Sequence, residues 1–299
     1  MNYRGIKDWA LLAALVVLWG SNFMFIKLGV ATVPPATLVA ARLVIGALIL
    51  VAVVLALGYR FPPPGRIWLM YAAVAVVGNS LPFMLIAWGQ RAIDSALAGI
   101  LMAIMPLTTL VLAHFFVTGE RMTRNRVAGF VLGFVGIVVL MEPAALTGLG
   151  GSGRHILAQL AVLAGAMCFA AQSVLVRVKL AGNVMVASAA IITIAAAISL
   201  PIALVVDQPW QLAPSPASFW AVIWIGIGPT AIATLVYLKL IDSAGPTFMS
   251  MVNYCVPVVA VFLGVALLGE TPGVNAYTGL ILILSGIALS RLRRRLIFP

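Results

Sequence analysis

A chain of 299 residues that is 64% apolar and only 8% charged, with a mean hydropathy of +1.17, has too little polar surface to cover a water-soluble globule. Its formal charge of +11 points to a nucleic-acid ligand only if the 18 Lys and Arg residues form a basic face with interleaved aromatics on a soluble module, and they do not. Composition therefore predicts a multi-pass membrane protein that binds no nucleic acid, with the lipid bilayer as its main surroundings.

Ten apolar segments of spanning length follow one another, at about 9–30, 36–57, 67–89, 95–117, 126–141, 156–176, 184–206, 218–239, 246–268 and 274–290. The first is long and lacks a small-x-small cleavage site, so it reads as a retained helix carrying Asn22 and Lys27. The second carries Arg42. Span three contains Gly78-Asn79-Ser80-Leu81-Pro82 followed by Phe83 and Trp88, and span four contains Met102 and Pro106. A Gly119-Glu120 turn leads into span five with Gly129 and Gly136. A connector at 143–155, with the run Thr147-Gly148-Leu149-Gly150-Gly151-Ser152-Gly153, reads as flexible and external. Span six holds Cys168 and Gln172. Span eight holds Gly226-Ile227-Gly228-Pro229-Thr230 and Tyr237, and span nine holds Asn253, Tyr254, Cys255 and Pro257. A second turn, Gly269-Glu270, precedes span ten with Gly279 and Gly286.

The second half thus echoes the first. Gly119-Glu120, Gly129 and Gly136 return 150 positions later as Gly269-Glu270, Gly279 and Gly286, each set behind a proline-bearing span. Four matches in constant register predict two equivalent units, residues 1–142 and 156–299. Five spans per unit is an odd number, so the second unit enters the bilayer from the opposite face. The predicted fold is all-α, ten transmembrane helices in two inverted-topology five-helix repeats, an arrangement suited to a site that opens to either side.

Charge placement predicts orientation. With a cytoplasmic N-terminus, cytoplasmic segments hold Arg4, Lys7, Arg60, Arg66, Arg121, Arg124, Arg126, Arg177, Lys179, Lys239, Arg291, Arg293, Arg294 and Arg295. The other side holds only Arg91 and Arg154, so both termini are expected in the cytoplasm.

Enzymatic chemistry has little to work with. All seven acids, Asp8, Asp94, Glu120, Glu142, Asp207, Asp242 and Glu270, fall at span ends or in loops, where Glu120 and Glu270 read as ties for short turns. His114 and His155 lack acidic or Cys partners at ligand spacing, so no metal and no cofactor is expected, and no catalytic residue is assigned. Cys168 and Cys255 read as small intramembrane thiols. No Walker-type phosphate loop is present, so ATP is not the direct energy source. An integral-membrane enzyme or lipid-handling protein is the reading from another class, against which the inverted repeat and the missing catalytic cluster argue.

Polar groups at membrane depth are the candidates for a binding site, with helix–helix glue, the commoner use of an intramembrane amide, as the other reading of Asn22, Asn79, Gln172 and Asn253. Lys27 and Arg42 are the only cations within spans; each either snorkels to the interface or holds an anion or Asp94. Prolines at Pro82, Pro106, Pro229 and Pro257 remove backbone hydrogen bonds and bend spans three, four, eight and nine, which makes these the gating elements around a central site.

The opening Trp19-Gly20-Ser21-Asn22-Phe23, with Lys27, Pro34-Pro35 and Arg42, and the two Pro…Gly-Glu…Gly…Gly segments resemble an EamA-type member of the drug/metabolite transporter superfamily. The resemblance covers essentially the whole chain. In span six Ala166-Met167-Cys168-Phe169-Ala170 replaces the opening motif, and no cation there matches Lys27 or Arg42. It implies ten helices, a central cavity, residence in the bacterial inner membrane and export of small metabolites such as aromatic and other neutral amino acids. Drugs or other toxic organic compounds are the alternative cargo. The chain is expected to work as a monomer. A zwitterionic substrate would use Asn22, Asn79, Asn253, the carbonyls freed by Pro82 and Pro257, and Lys27, with its side chain against Phe83, Trp88, Met102, Tyr237 or Tyr254.

Overall fold

The computed structural model describes residues 5–120, 122–141, 152–179 and 183–291. Most of the connector at 143–155, the arginines at 293–295, and Arg4, Arg121 and Glu142 lie outside the described residues. In lipid every backbone N–H and C=O must be paired within the chain, so the apolar runs become helices. They are α1 Ile6–Gly29, α2 Pro35–Ala56, α3 Arg66–Gly89, α4 Ser95–Phe116, α5 Arg124–Leu140, α6 Ser152–Lys179, α7 Val184–Val206, α8 Pro216–Gly245, α9 Val252–Leu268 and α10 Val274–Arg291. Eight are long and apolar enough to cross a bilayer; α9 and α5, with 17 residues each, are the shorter ones.

Local sequence sets the ends. Pro35 and Pro216 occupy first-turn positions, where the missing N–H costs nothing. Thr123, Asn183 and Ser215 cap α5, α7 and α8 by accepting from Arg126, Met185 and Ser218 amides. Gly269 ends α9 in the left-handed conformation, φ +66, which a side chain would strain.

Three helices, α3, α4 and α8, are interrupted, and all three are among those nominated by their glycines and prolines. α3 has a π turn at Val76–Ser80 and α8 a π turn at Gly226–Ile232, beginning 150 residues later. Pro229 cannot bond the Ile225 carbonyl, and the Thr230 hydroxyl takes that acceptor instead at 2.9 Å. α4 breaks at Ala103-Ile104, because Pro106 offers no N–H to the Met102 carbonyl. Span four is therefore two helical pieces rather than the single run expected over 95–117. Span nine also departs from its expected range of 246–268. Gly245, at φ +79, kinks the chain, and the regular helix begins only at Val252.

The packing shows the inverted repeat directly. α2 lies against α7 and α5 against α10; α1 packs on α8 and α9, as α6 does on α3 and α4; α2 meets α8 as α7 meets α3. Exchanging each helix with the one five further on turns that set into itself. Gly129 meets the Gly286 backbone and Gly136 meets the Gly279 backbone. Since one index rises as the other falls, α5 and α10 are antiparallel, as repeat units of opposite topology require. A Cβ at Gly136 would lie 2.9 Å from the Gly279 carbonyl oxygen, and one at Gly279 would lie 2.8 Å from that of Gly136. The four repeat glycines are thus small because two backbones touch there.

Candidate functional site

α2 and α7 lie against each other, and the two π turns sit against them. Ser80, the last residue of the α3 π turn, donates to the Ala195 carbonyl of α7 at 3.3 Å and accepts from the Ser199 hydroxyl at 3.2 Å. Thr230, its equivalent 150 residues on, reaches α2. There its Oγ1 accepts from Arg42 Nε at 3.3 Å and Nη2 at 3.1 Å while donating to Ile225. Gly46, one turn beyond Arg42, admits the Thr230 methyl group, which a Cβ there would displace.

Arg42 does not snorkel. It is 2% exposed, with its guanidinium carbon 3.8 Å from the centroid of the Phe83 ring. Phe83 in turn meets Phe169 of α6 edge to face at 5.7 Å. Stacking on a desolvated ring is worth about 2 kcal/mol, against several kcal/mol for taking a cation out of water. Its Nη1 has no hydrogen-bond partner, and no carboxylate lies within ion-pair distance, among the described residues.

The expected site residues fall at three levels. Asn79, buried within the α3 π turn, Pro82, also buried, and Phe83 lie at the middle level with Arg42 and Thr230. Asn22, on α1, is half-buried and its Oδ1 has no partner. Pro229 is buried inside the α8 π turn. Met102 closes the first piece of α4 against the core, with Pro106 opening the second.

Lys27 lies at one end of the molecule. Its Nζ donates to the Ile93 carbonyl at 2.7 Å and sits 3.5 Å from Asp94, a half-exposed pair worth at most about 1 kcal/mol. Trp88 is near the same end, 40% exposed on the face of α3 shared with Leu81 two turns earlier. Tyr254 lies toward the other end, beneath the Arg291 guanidinium at 4.9 Å, with Asn253 beside it in the first turn of α9. Tyr237 packs on Trp19 at 5.7 Å, and Pro257 is buried within α9. The structure thus gathers Asn79, Pro82 and Phe83, and separates Lys27, Trp88 and Tyr254 from them. Among the described residues no group of three His, Cys, Asp or Glu side chains is gathered for a metal, and both cysteines are free.

The two ends differ. At one, Glu270 accepts from the Ser95 and Ala96 amides at 2.8 and 2.9 Å, so α4 begins on a carboxylate from the other repeat. There the first piece of α4 lies along α9, with Gly99 against Ala260. At the other end the second piece of α4, Met105–Phe116, packs chiefly on α6. Glu120, the equivalent of Glu270, pairs instead with Arg126 at 3.0 Å and Arg177 at 3.1 Å. The hydrogen bond from Arg126, with help from Arg177, holds its carboxyl below the usual carboxylate range.

The same architecture recurs in known proteins. A solved crystal structure superposes with a TM-score of 0.68 at 23% identity, covering 96% of this chain and 97% of that one, which identifies a shared fold. The chain is 29% identical over 293 residues to the inner membrane transporter YedA of Escherichia coli (strain K12), covering 96% of this chain and 91% of the relative. It is 28% identical over 289 residues to a probable terminal-alkyne amino-acid exporter of Streptantibioticus cattleyicolor, covering 94% and 92%. The model of the EamA-like transporter family matches twice, at residues 8–142 and 156–292. Two family matches, two antiparallel five-helix units and paired π turns at their junction lead to one assignment: the chain belongs to the EamA-like transporter family, and it is a multi-pass membrane transporter of small molecules.

Proposed function

We propose that this chain is a secondary carrier of the inner membrane that exports small amphipathic metabolites, foremost aromatic and other neutral amino acids, by alternating access between its two repeats. The observation that carries the reading is the pair of π turns. Lying 150 residues apart, they flank the α2–α7 pair while α4 and α9 are packed together at one end. π turns concentrate at functional sites because the widened turn strains the helix and frees backbone acceptors. In this reading residues 1–142 and 156–299 are the moving units, with 143–155 as their tether. The N- and C-termini lie in the cytoplasm, as the distribution of basic residues favours. The Glu120 end is then the cytoplasmic entrance, and the captured arrangement faces inward.

The amino-acid cargo draws support from the Streptantibioticus relative, whose name is that of an amino-acid exporter. It also draws support from the mixture of amides and aromatics around the π turns, which offers dipoles and ring faces rather than paired charges. The decisive experiment is counterflow in proteoliposomes loaded in turn with amino acids, organic cations and nucleotide sugars. Uptake of labelled phenylalanine or leucine against an internal amino-acid load is expected. Uptake supported only by organic cations would replace this reading with drug export.

A further inference from the structure

We infer that Arg42 is an anion receptor, and that the molecules carried are recognised through a carboxylate. The inference rests on the transport reading above and narrows its substrate class.

The argument begins with a missing counterion. A guanidinium stays charged at any physiological pH, and at membrane depth it needs a partner. Every described acid of this chain is at a helix end or in a loop, and none reaches Arg42. The surroundings of Arg42 are nonetheless built rather than accidental. Its face is stacked on Phe83, and its Nε–Nη2 edge is held by a Thr230 oxygen whose own proton is committed to Ile225. That leaves the Nη1–Nη2 edge, and Nη1 has no partner among the described residues. This is the edge that grips a carboxylate through two parallel hydrogen bonds. The charge is also single. The equivalent position on α7 is Ile192, so the pseudo-twofold does not duplicate it. For an ammonium, by contrast, no carboxylate lies at membrane depth among the described residues, and the unpartnered buried acceptors are dipoles such as the Oδ1 of Asn22. The carboxylate is therefore the group this site selects, and a positive charge on the ligand is optional.

The test uses four compounds that share a phenyl group and differ in charge: L-phenylalanine, 3-phenylpropionate, L-phenylalaninamide and phenethylamine. Their binding to purified wild type, Arg42→Gln and Arg42→Lys is measured in detergent, with counterflow in parallel. Wild type is expected to bind the two carboxylates at least tenfold more tightly than the amide and the amine. Arg42→Gln is expected to lose that preference while melting no lower than wild type, since it removes an unpaired buried charge. Arg42→Lys, which keeps the charge without the fork, is expected to retain the preference at reduced affinity. Equal wild-type binding of acids and amide overturns the proposal without recourse to any variant, as does unchanged carboxylate binding by Arg42→Gln. If 3-phenylpropionate binds through Arg42 while phenylalanine is not transported, the amino-acid reading falls and the anion receptor stands. If phenylalanine is carried equally well by Arg42→Gln, the reverse holds.

Discussion

Glu120 and Glu270 occupy equivalent places in the two repeats and each reaches the other repeat, but by different means. Glu270 accepts from the first two amides of α4, while Glu120 pairs with two side chains, Arg126 of α5 and Arg177 of α6. The sequence around them is alike, so the difference belongs to the arrangement of helices. An inverted repeat builds the same device at both ends of the molecule, and among the described residues the carboxylate-to-helix-start contact is made at the end where α4 packs on α9. On the proposed alternating-access reading, that asymmetry marks one of two states that exchange the roles of the ends.

On the same reading the α5–α10 seam is common to both states, and breaking it has the largest expected effect. Leucine at Gly129 or Gly136 places a branched side chain where two backbones touch, and each substitution is expected to cost more than about 4 kcal/mol. Size-exclusion profiles of detergent extracts should show loss of the monodisperse peak. The two glutamates come next. Glu270→Gln weakens two charge-assisted hydrogen bonds, at about 1.5–3 kcal/mol each. Glu120→Gln affects two partly exposed ion pairs worth about 1 kcal/mol or less. Labelling of a single cysteine at Leu97 should therefore accelerate strongly in the first variant and little in the second. Equal acceleration would make the asymmetry between the ends incidental.

Acidification should produce the smallest effect. The folded carboxyl of Glu120 lies below its unfolded value, so its contribution is present above the ordinary carboxylate range and is lost as pH falls through the depressed folded value. The melting temperature should decline more on lowering pH from 5 to about 3 in wild type than in Glu120→Gln.

How much of this was legible in the sequence varies with the physics involved. The repeat glycines of α5 and α10 were visible because close backbone contact admits one residue type, and it admits it at the same place twice. The interrupted helices were visible for a similar reason: Pro229 and Pro106 remove donors whatever surrounds them. The π form of the turns was not, since it depends on Thr230 and its neighbours settling against α2. Arg42 was visible only as a cation that could snorkel or bind. Which of the two holds depends on the face of α2 that meets α8, and periodicity in an all-apolar helix does not mark that face. Trp88 and Phe83 show the same limit. Both are aromatics of one helix, five residues apart, and tertiary packing puts one beneath a guanidinium and leaves the other 40% exposed. Glu270 read as a tie for its own turn, whereas its partners lie 175 residues away on the other repeat.

The central claim, that the two ends open in alternation, is tested most directly by a pair of distance measurements. Spin labels at Arg91 and Thr271 report on the Glu270 end, and labels at Thr118 and Asp242 report on the Glu120 end; all four positions are exposed. Pulsed electron resonance in nanodiscs, with and without transported substrate, should show the first distance lengthening in the same population in which the second shortens. If both distances lengthen together, or neither changes while transport proceeds, the alternating account is contradicted.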